Sequence, residues 1–404
     1  MLFYGINISL LNLITLVVIT GNVYSQREAD VWYFGEQCGL NYNSGVPEVL
    51  HNGHTYETYG GVGTMSDSLG NLLLYSEGDT IFTSKHLPME NGVDFINGWG
   101  HQSNLIIQWP ESDSLYFVFK VPNGDFGLYF SVIDISKNNG LGAVIEKDIL
   151  LDYAWDAADK VTATMHKNKR DIWVITRKFQ DDHYASFLIT PDGINEVPVL
   201  SPAPDVDYNV VNRGFIKISY DKKYLFSNYW SDRDVEVCRF NDETGEIEFL
   251  YDLNTGNYPT GIEFSPDSKF AYISYQSGGA SDNIDIMQYN MDYVDDVSLF
   301  ITTAIVIGSG DLNGYALQLA TDGKIYCIFN GHLLPGSNYF VGVINKPWEL
   351  GTACQYDSRA INMYPESTTE SFPNIFMGYL YRFEFEGLCA GAPFLFTSNF
   401  NPVP

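Results

Sequence analysis

From residue 30 onward the chain is a succession of short apolar runs rich in Val, Ile, Phe and Tyr, separated by clusters of Gly, Asn, Asp and Ser. No helical periodicity is sustained for more than a few turns, so the pattern predicts an all-β protein. A unit recurs within it: a strand, a polar turn, a second aromatic-rich strand and then a hairpin. The second strands are predicted to begin at Leu72, Leu115, Ile172, Tyr224, Phe270 and Ile325, after turns such as Asp67-Ser-Leu-Gly-Asn, Asn168-Lys-Arg-Asp and Asp322-Gly-Lys. Their spacings are 43, 57, 52, 46 and 55 residues. One turn chemistry recurring near every fiftieth residue, with four strands per unit, predicts a β-propeller with WD-like repeats and not a sandwich.

Six units leave residues 30–43 and 372–386 over, and together these complete a seventh blade. The expectation is a seven-bladed β-propeller of four-stranded blades over residues 26–386, its last blade closed by both chain ends, which leaves no exposed sheet edge at the seam. Two hairpins are legible directly. Residues 127–135 alternate Leu128, Phe130 and Val132 against Tyr129, Ser131 and Ile133, and Val235–Phe240 is joined to Ile247–Leu250 through a turn ending at Gly245.

The apolar stretch from Ile8 to Thr20, followed by Val23 and Ser25, predicts a secretory signal peptide over residues 1–25 cleaved after Ser25. The stretch is short for a span, and no second one follows, so no membrane insertion of the mature chain is expected. With 22 Lys plus Arg against 50 Asp plus Glu, the formal charge is −28, which disfavours nucleic acid and anionic membranes as partners. The cation runs are confined to Lys167, Lys169 and Arg170, and to Lys222 and Lys223. Five cysteines leave at least one unpaired, and Cys38, Cys238, Cys327, Cys354 and Cys389 show no zinc-ligand spacing. Cys238 and Cys327 fall in strand-like runs as small hydrophobes, while the loop-flanked Cys354 and Cys389 are a candidate disulfide, with free buried thiols the alternative.

Several short motifs then stand in a distinctive order: Trp32-Tyr-Phe-Gly, Gly70-Asn-Leu-Leu-Leu-Tyr, His166 with Asp171-Ile-Trp-Val-Ile-Thr, Phe264-Ser-Pro-Asp-Ser-Lys, Leu317-Gln-Leu-Ala-Thr-Asp-Gly-Lys-Ile-Tyr, Gly342-Val-Ile-Asn and Phe372-Pro-Asn. Over residues 30–395 this order resembles the amino-terminal propeller of large secreted proteins of gliding-type bacteria. The resemblance implies PKD or other immunoglobulin-like modules after the propeller, with residues 387–404 as the approach to the first of them. It also implies a sorting domain read by type IX secretion machinery, and a destination that is secreted or at the cell surface, reached through the periplasm.

If each blade runs from the axis outward, the connections before inner strands and those between second and third strands share one face. Trp99, Trp155, Trp230 and Trp348 are expected on that rim, with Arg213 beside them, as ligand contacts; the alternative is that the rings fill gaps between loops. Asp152, Asp156, Asp159, Asp205, Asp207, Asp311 and Asn313 collect there too. Calcium is conceivable at such loops, but no calcium motif is present, and no metal or other cofactor is assigned. His166 is expected to make a hydrogen bond inside its blade. No nucleophile elbow, zinc helix or phosphate loop occurs, so no catalytic residue is assigned. The reading favours a non-catalytic binding or display module of an exported protein, in adhesion or recognition of an extracellular carbohydrate or protein. The alternative is a propeller hydrolase or lyase acting on extracellular glycans or lactones, which requires a deep axial pocket lined by carboxylates.

Overall fold

The computed structural model describes residues 27–380, apart from 57–60, 97–99, 123–126, 179–181, 205–213, 231–232, 277–283, 311–313 and 330–338, and two further strands at Phe383–Glu386 and Leu395–Ser398. The expected leader, residues 1–25, lies outside the described residues. Seven antiparallel sheets stand in a ring around one axis, the arrangement of a seven-bladed β-propeller. Helix among the described residues is limited to Val297–Thr302 and short 3-10 turns, and no described helix is long and apolar enough to cross a membrane.

Blades 2 to 7 begin at the axis with the inner strands Val62–Ser66, Asn104–Gln108, Ala157–Met165, Ile216–Ile218, Tyr258–Phe264 and Gly314–Leu319. The second strands start at Leu72, Leu115, Ile172, Tyr224, Phe270 and Ile325, the six residues anticipated from the turns. In blade 2 the outer place is taken by a short stretch, Met89 N donating to Ile81 O and Thr83 N to Leu87 O, both at 2.8 Å. Both expected hairpins form, Tyr129–Asp134 with Ala143–Leu150 and Asp234–Phe240 with Ile247–Asp252.

The burial of each strand explains its composition. Second strands have a neighbouring blade on either side, so Ile172–Lys178 is buried along its whole length. It therefore reads as an unbroken run and not as an alternating one. Outer strands have one side in water, and Ala143–Leu150 and Tyr356–Asn362 carry charges accordingly. The turns from inner to second strand share a left-handed residue: Gly70, Glu111, Lys169, Lys222, Ser268 and Gly323 all have φ between 59° and 84°. Beside it, a side-chain oxygen ties the turn. Asp67 Oδ1 accepts from Leu69 N and Asn71 N, Ser219 Oγ from Tyr224 N and Ser265 Oγ from Phe270 N, at 2.8–3.0 Å.

Both chain ends build the seam. Val31–Phe34, Cys38–Asn41 and Glu48–Leu50 take the second, third and outer places of blade 1, and the far end of the chain fills its inner place. Glu36 N donates to Ser367 O at 2.8 Å, Pro373 bridges in parallel to Val62, and Asn374 N donates to Val62 O at 2.8 Å. The expected stretch, 372–386, is corrected in extent. Backbone bridging begins at Ser367, one residue after the His51–Glu366 ion pair, and Phe383–Glu386 pairs with Leu395–Ser398. Pro373 lacks the N–H a regular ladder needs, and the 3-10 turn Met377–Tyr379 redirects the chain. The new hairpin also straddles the expected boundary at 386.

From the seam the segment crosses the axis. Phe372 packs on Trp32 and Phe34 with ring centroids 5.4 and 5.1 Å away. Asn374 reaches three other blades: its backbone bonds to Val62, its Nδ2 donates to Val161 O at 2.8 Å, and its Oδ1 accepts from Gln102 Nε2 at 3.0 Å. Gln102 Nε2 in turn donates to Ile216 O at 2.9 Å. Four blades thus meet through two amides. Replacing Asn374 by Ala leaves a buried carbonyl and a buried amide with a lost partner, which costs about 2–4 kcal/mol. Urea denaturation of Asn374→Ala against the parent chain measures this, and a midpoint within error of the parent's would show that the segment does not hold the ring together.

Candidate functional site

Neighbouring blades are tied at the lower face, where turns between inner and second strands meet those between third and outer strands. Trp109 Nε1 donates to Pro191 O at 2.9 Å, Trp173 Nε1 to Asp242 O at 3.0 Å and Tyr272 Oη to Pro347 O at 2.8 Å, each reaching the next blade. His166 does the same. Its Nδ1 accepts from Asn168 N at 2.9 Å, so its Nε2–H donates, to Glu243 O of blade 5 at 3.0 Å. The bond expected inside the blade is therefore a turn contact plus an inter-blade tie.

Where the axial segment emerges on this face it floors a cavity of about 640 Å³. Phe376, Gly378 and Tyr379 form the floor beside Met165, and Gln108 N donates to Tyr379 Oη at 2.8 Å. The wall includes half-buried Trp109, its ring stacked on Phe117 at 4.5 Å, together with Glu111, Lys169, Arg170 and Lys222. Arg170 Nε donates to Asp171 at 2.8 Å, which holds the Asp171 carboxyl below its usual range. Lys222 also lines a second cavity, of about 1180 Å³, in the cleft between blades 4 and 5. That cleft runs between the outer strand Val199–Pro202 and the ends of Asp234–Phe240 and Ile247–Asp252. Lys222 pairs with Asp242 at 3.2 Å, and Arg239 with Glu248 at 3.2 Å and Asp295 at 2.8 Å.

Among the described residues, the axis is filled at the level of Phe372–Asn374. His101, Gln102, Phe215, Lys217 and Gln318 close on Phe372–Asn374, with about 10 Å³ between them. His101 lies flat on Phe215 and within 3.0 Å of Glu370. Lys217 Nζ donates to Glu263 at 3.1 Å and Gln318 Oε1 at 2.7 Å. The carboxyls that burial pushes above their usual range, Asp234 and Asp322, stand at a strand start and in a turn, and neither lines this space.

Comparison with known proteins adds the architecture. The ring is that of solved propellers. A Bacteroides fragilis protein described as a candidate 6-phosphogluconolactonase aligns at 11% identity over 86% of this chain and 97% of its own, with a TM-score of 0.50. A Lactobacillus plantarum protein aligns at 12% identity over 85% and 99%, also at 0.50. A Bacteroides uniformis protein of the same description as the first gives 12% identity over 85% and 98%, at 0.49. At such identities the likeness of the first two is one of fold alone. No family model and no curated protein matches the chain.

Of the expected rim, Trp155 stands on the upper face at 50% exposure, beside exposed Tyr153. Trp230 is on that face too, but its ring stacks on Tyr258 at 5.1 Å, and Arg233 covers Tyr258 at 4.4 Å, so it fills a gap between loops of blades 5 and 6. Trp348 is on the opposite face. It follows Phe340–Ile344, the third strand of blade 7, and precedes the outer strand Tyr356–Asn362. Trp99, Arg213, Asp205, Asp207, Asp311 and Asn313 lie outside the described residues. Asp152 is exposed, Asp156 is buried 3.7 Å from Lys178, and Asp159 is buried. Among the described residues, no three His, Cys, Asp or Glu side chains converge as metal ligands. Cys354 is a free buried thiol like Cys38, Cys238 and Cys327, so the structure does not join it to Cys389, which is outside the described residues. Burial raises all four thiols. The lower-face residues were not singled out as a site from the sequence, although the signal was there: the two cation runs of the chain both end in it.

The upper end of blade 3 buries a cation, Lys120, whose Nζ donates to Gly78 O at 2.7 Å and stands 4.7 Å from the Phe95 ring. Burial pushes its ammonium down to about 7, against the opposing pull of Asp148 and Asp79. Between pH 7 and the ordinary value of 10.5, the unfolded chain binds a proton here that the folded chain does not, so stability rises with pH across that window. Lys120→Met removes this contribution. Denaturation midpoints measured from pH 7 to 10 are expected to climb less steeply for the variant; identical slopes would show that Lys120 stays charged in the fold.

Proposed function

We propose that the chain is a non-catalytic binding or display propeller of an exported, surface-associated protein. The observation that carries this reading is the filled axis. An enzyme on this fold would need converging groups around an open axial pocket, whereas here the chain's own Phe372–Asn374 occupies that space and the described cavities open on the lower face and side. The signal-like stretch Ile8–Thr20 supports export, and the ordered motifs from Trp32 to Phe372-Pro-Asn support a place in the secreted proteins of gliding-type bacteria, with type IX sorting, PKD-like modules and a role in adhesion. The ligand is an extracellular carbohydrate or protein. The name shared by two of the solved neighbours gives the competing reading, a hydrolase of sugar lactones.

Both readings meet in one assay pair. The purified chain is titrated with extracellular polysaccharides while its tryptophan emission is followed, and in parallel it is given gluconolactone and 6-phosphogluconolactone. The expected result is saturable binding to at least one polysaccharide and lactone hydrolysis no faster than in buffer. Enzyme-dependent hydrolysis that scales with protein concentration would replace the binding module by the lactonase.

A further inference from the structure

The lower-face cavity and the cleft between blades 4 and 5 both have Lys222 of blade 5 in their lining, so they adjoin there and are taken together as one trough from the axis mouth out to the cleft. We infer that this trough binds an extended, uncharged polysaccharide strand; the inference rests on the binding-module reading and names its ligand class and place.

Size is the first argument. A pocket for one small molecule is typically about 300–1,000 Å³. The cleft alone exceeds that at about 1180 Å³ and adjoins a further 640 Å³. A linear polymer fills such a shape, and a single sugar does not.

Charge is the second. Over the whole chain acidic residues outnumber basic ones 50 to 22. Along the trough the balance is nearly even, with Lys169, Arg170, Lys222, Lys223 and Arg239 facing Glu111, Asp113, Asp221, Asp242, Glu246 and Glu248. Most of these cations are held in ion pairs, as for Arg170 with Asp171, Lys222 with Asp242 and Arg239 with Glu248. Paired ions of both signs offer donors and acceptors side by side, which suits hydroxyl groups that both donate and accept hydrogen bonds. A polyanion would instead meet six carboxylates within a strongly negative molecule.

The third argument separates sugar from peptide. Each cavity holds a half-buried aromatic ring, Trp109 at the axis mouth and Phe249 in the cleft, and rigid rings stack on sugar faces at little entropic cost. On one wall of the cleft Pro202 and Pro204 lack the backbone donor that an extended peptide would use at those positions.

The test uses the whole chain with linear neutral glucan oligosaccharides of two to eight units, polygalacturonate as the anionic comparison and an unstructured peptide as the third ligand. Affinity is expected to rise about tenfold or more from the disaccharide to the hexasaccharide as the second cavity is reached, a gain of about 1.4 kcal/mol per decade. Arg239→Ala, at an exposed side chain in the cleft, is expected to remove most of that gain and leave disaccharide affinity unchanged. Arg239→Gln and a melting curve guard against a folding defect, and Trp155→Ala on the upper face is expected to change nothing. Equal affinity at every length, preference for polygalacturonate or for the peptide, or full length dependence in Arg239→Ala overturns the trough. Loss of binding in Trp155→Ala alone overturns the trough while leaving the binding module intact. Lactone hydrolysis without any polysaccharide binding removes both.

Discussion

A ring of seven wedges leaves a hole, and the filling of that hole is the constraint on which the rest of this molecule depends. Inner strands present polar backbone toward the axis, and a buried backbone group without a partner costs as much as a lost hydrogen bond. Residues 367–374 satisfy this demand from within the chain. Their own amides and carbonyls bond to Glu36 and Val62, while the Asn374 side chain serves Val161 and Gln102. The same residues complete blade 1, so ring closure and axis filling are one event. Because the segment follows blades 2 to 7 in sequence, the ring has no closed form until residue 374 is in place.

Among the described residues, the filled axis leaves almost no space beside Phe372–Asn374. Lys217, Glu263, Gln318, His101 and Glu370 are the kinds of group that would line an open channel, yet here they are engaged with one another around the segment. Among the described residues, the larger cavities lie at the lower face and in the cleft beside it, where turns from successive blades come together because antiparallel strands reverse there. Trp109 and Trp173, together with Tyr272, hold those turns in register by bonding forward to the next blade. A cavity built on such ties is rigid, which is the condition for a binding surface that loses little entropy when occupied.

Much of the architecture was legible in the sequence because it is written in backbone chemistry. The polar turn after each inner strand and the aromatic run that follows it recur closely enough to place all six second strands at their first residue. The site was far less legible. Trp109, Arg170, Lys222 and Tyr379 come from three blades and the axial segment, and no spacing connects them. Trp348 stands on the face opposite the expected one because Phe340–Ile344 is the third strand of blade 7 and not its outer one, and each strand reverses the face on which the next loop falls. The tie from His166 is invisible in the sequence because its partner Glu243 lies 77 residues on, in the next blade.

The route of residues 367–380 also has a mechanical meaning. The segment enters beside Glu36 on the upper face and emerges at Tyr379 on the lower one, having passed through the ring from side to side. Anything joined to the chain beyond that point therefore pulls along the axis, not across the seam. Such a pull loads the bonds to Val62, Val161 and Gln102 together, in shear, and draws Phe372 against Trp32 and Phe34. The propeller is in this sense a bead held on its own thread, and a force on the thread is shared among four blades before it can open one.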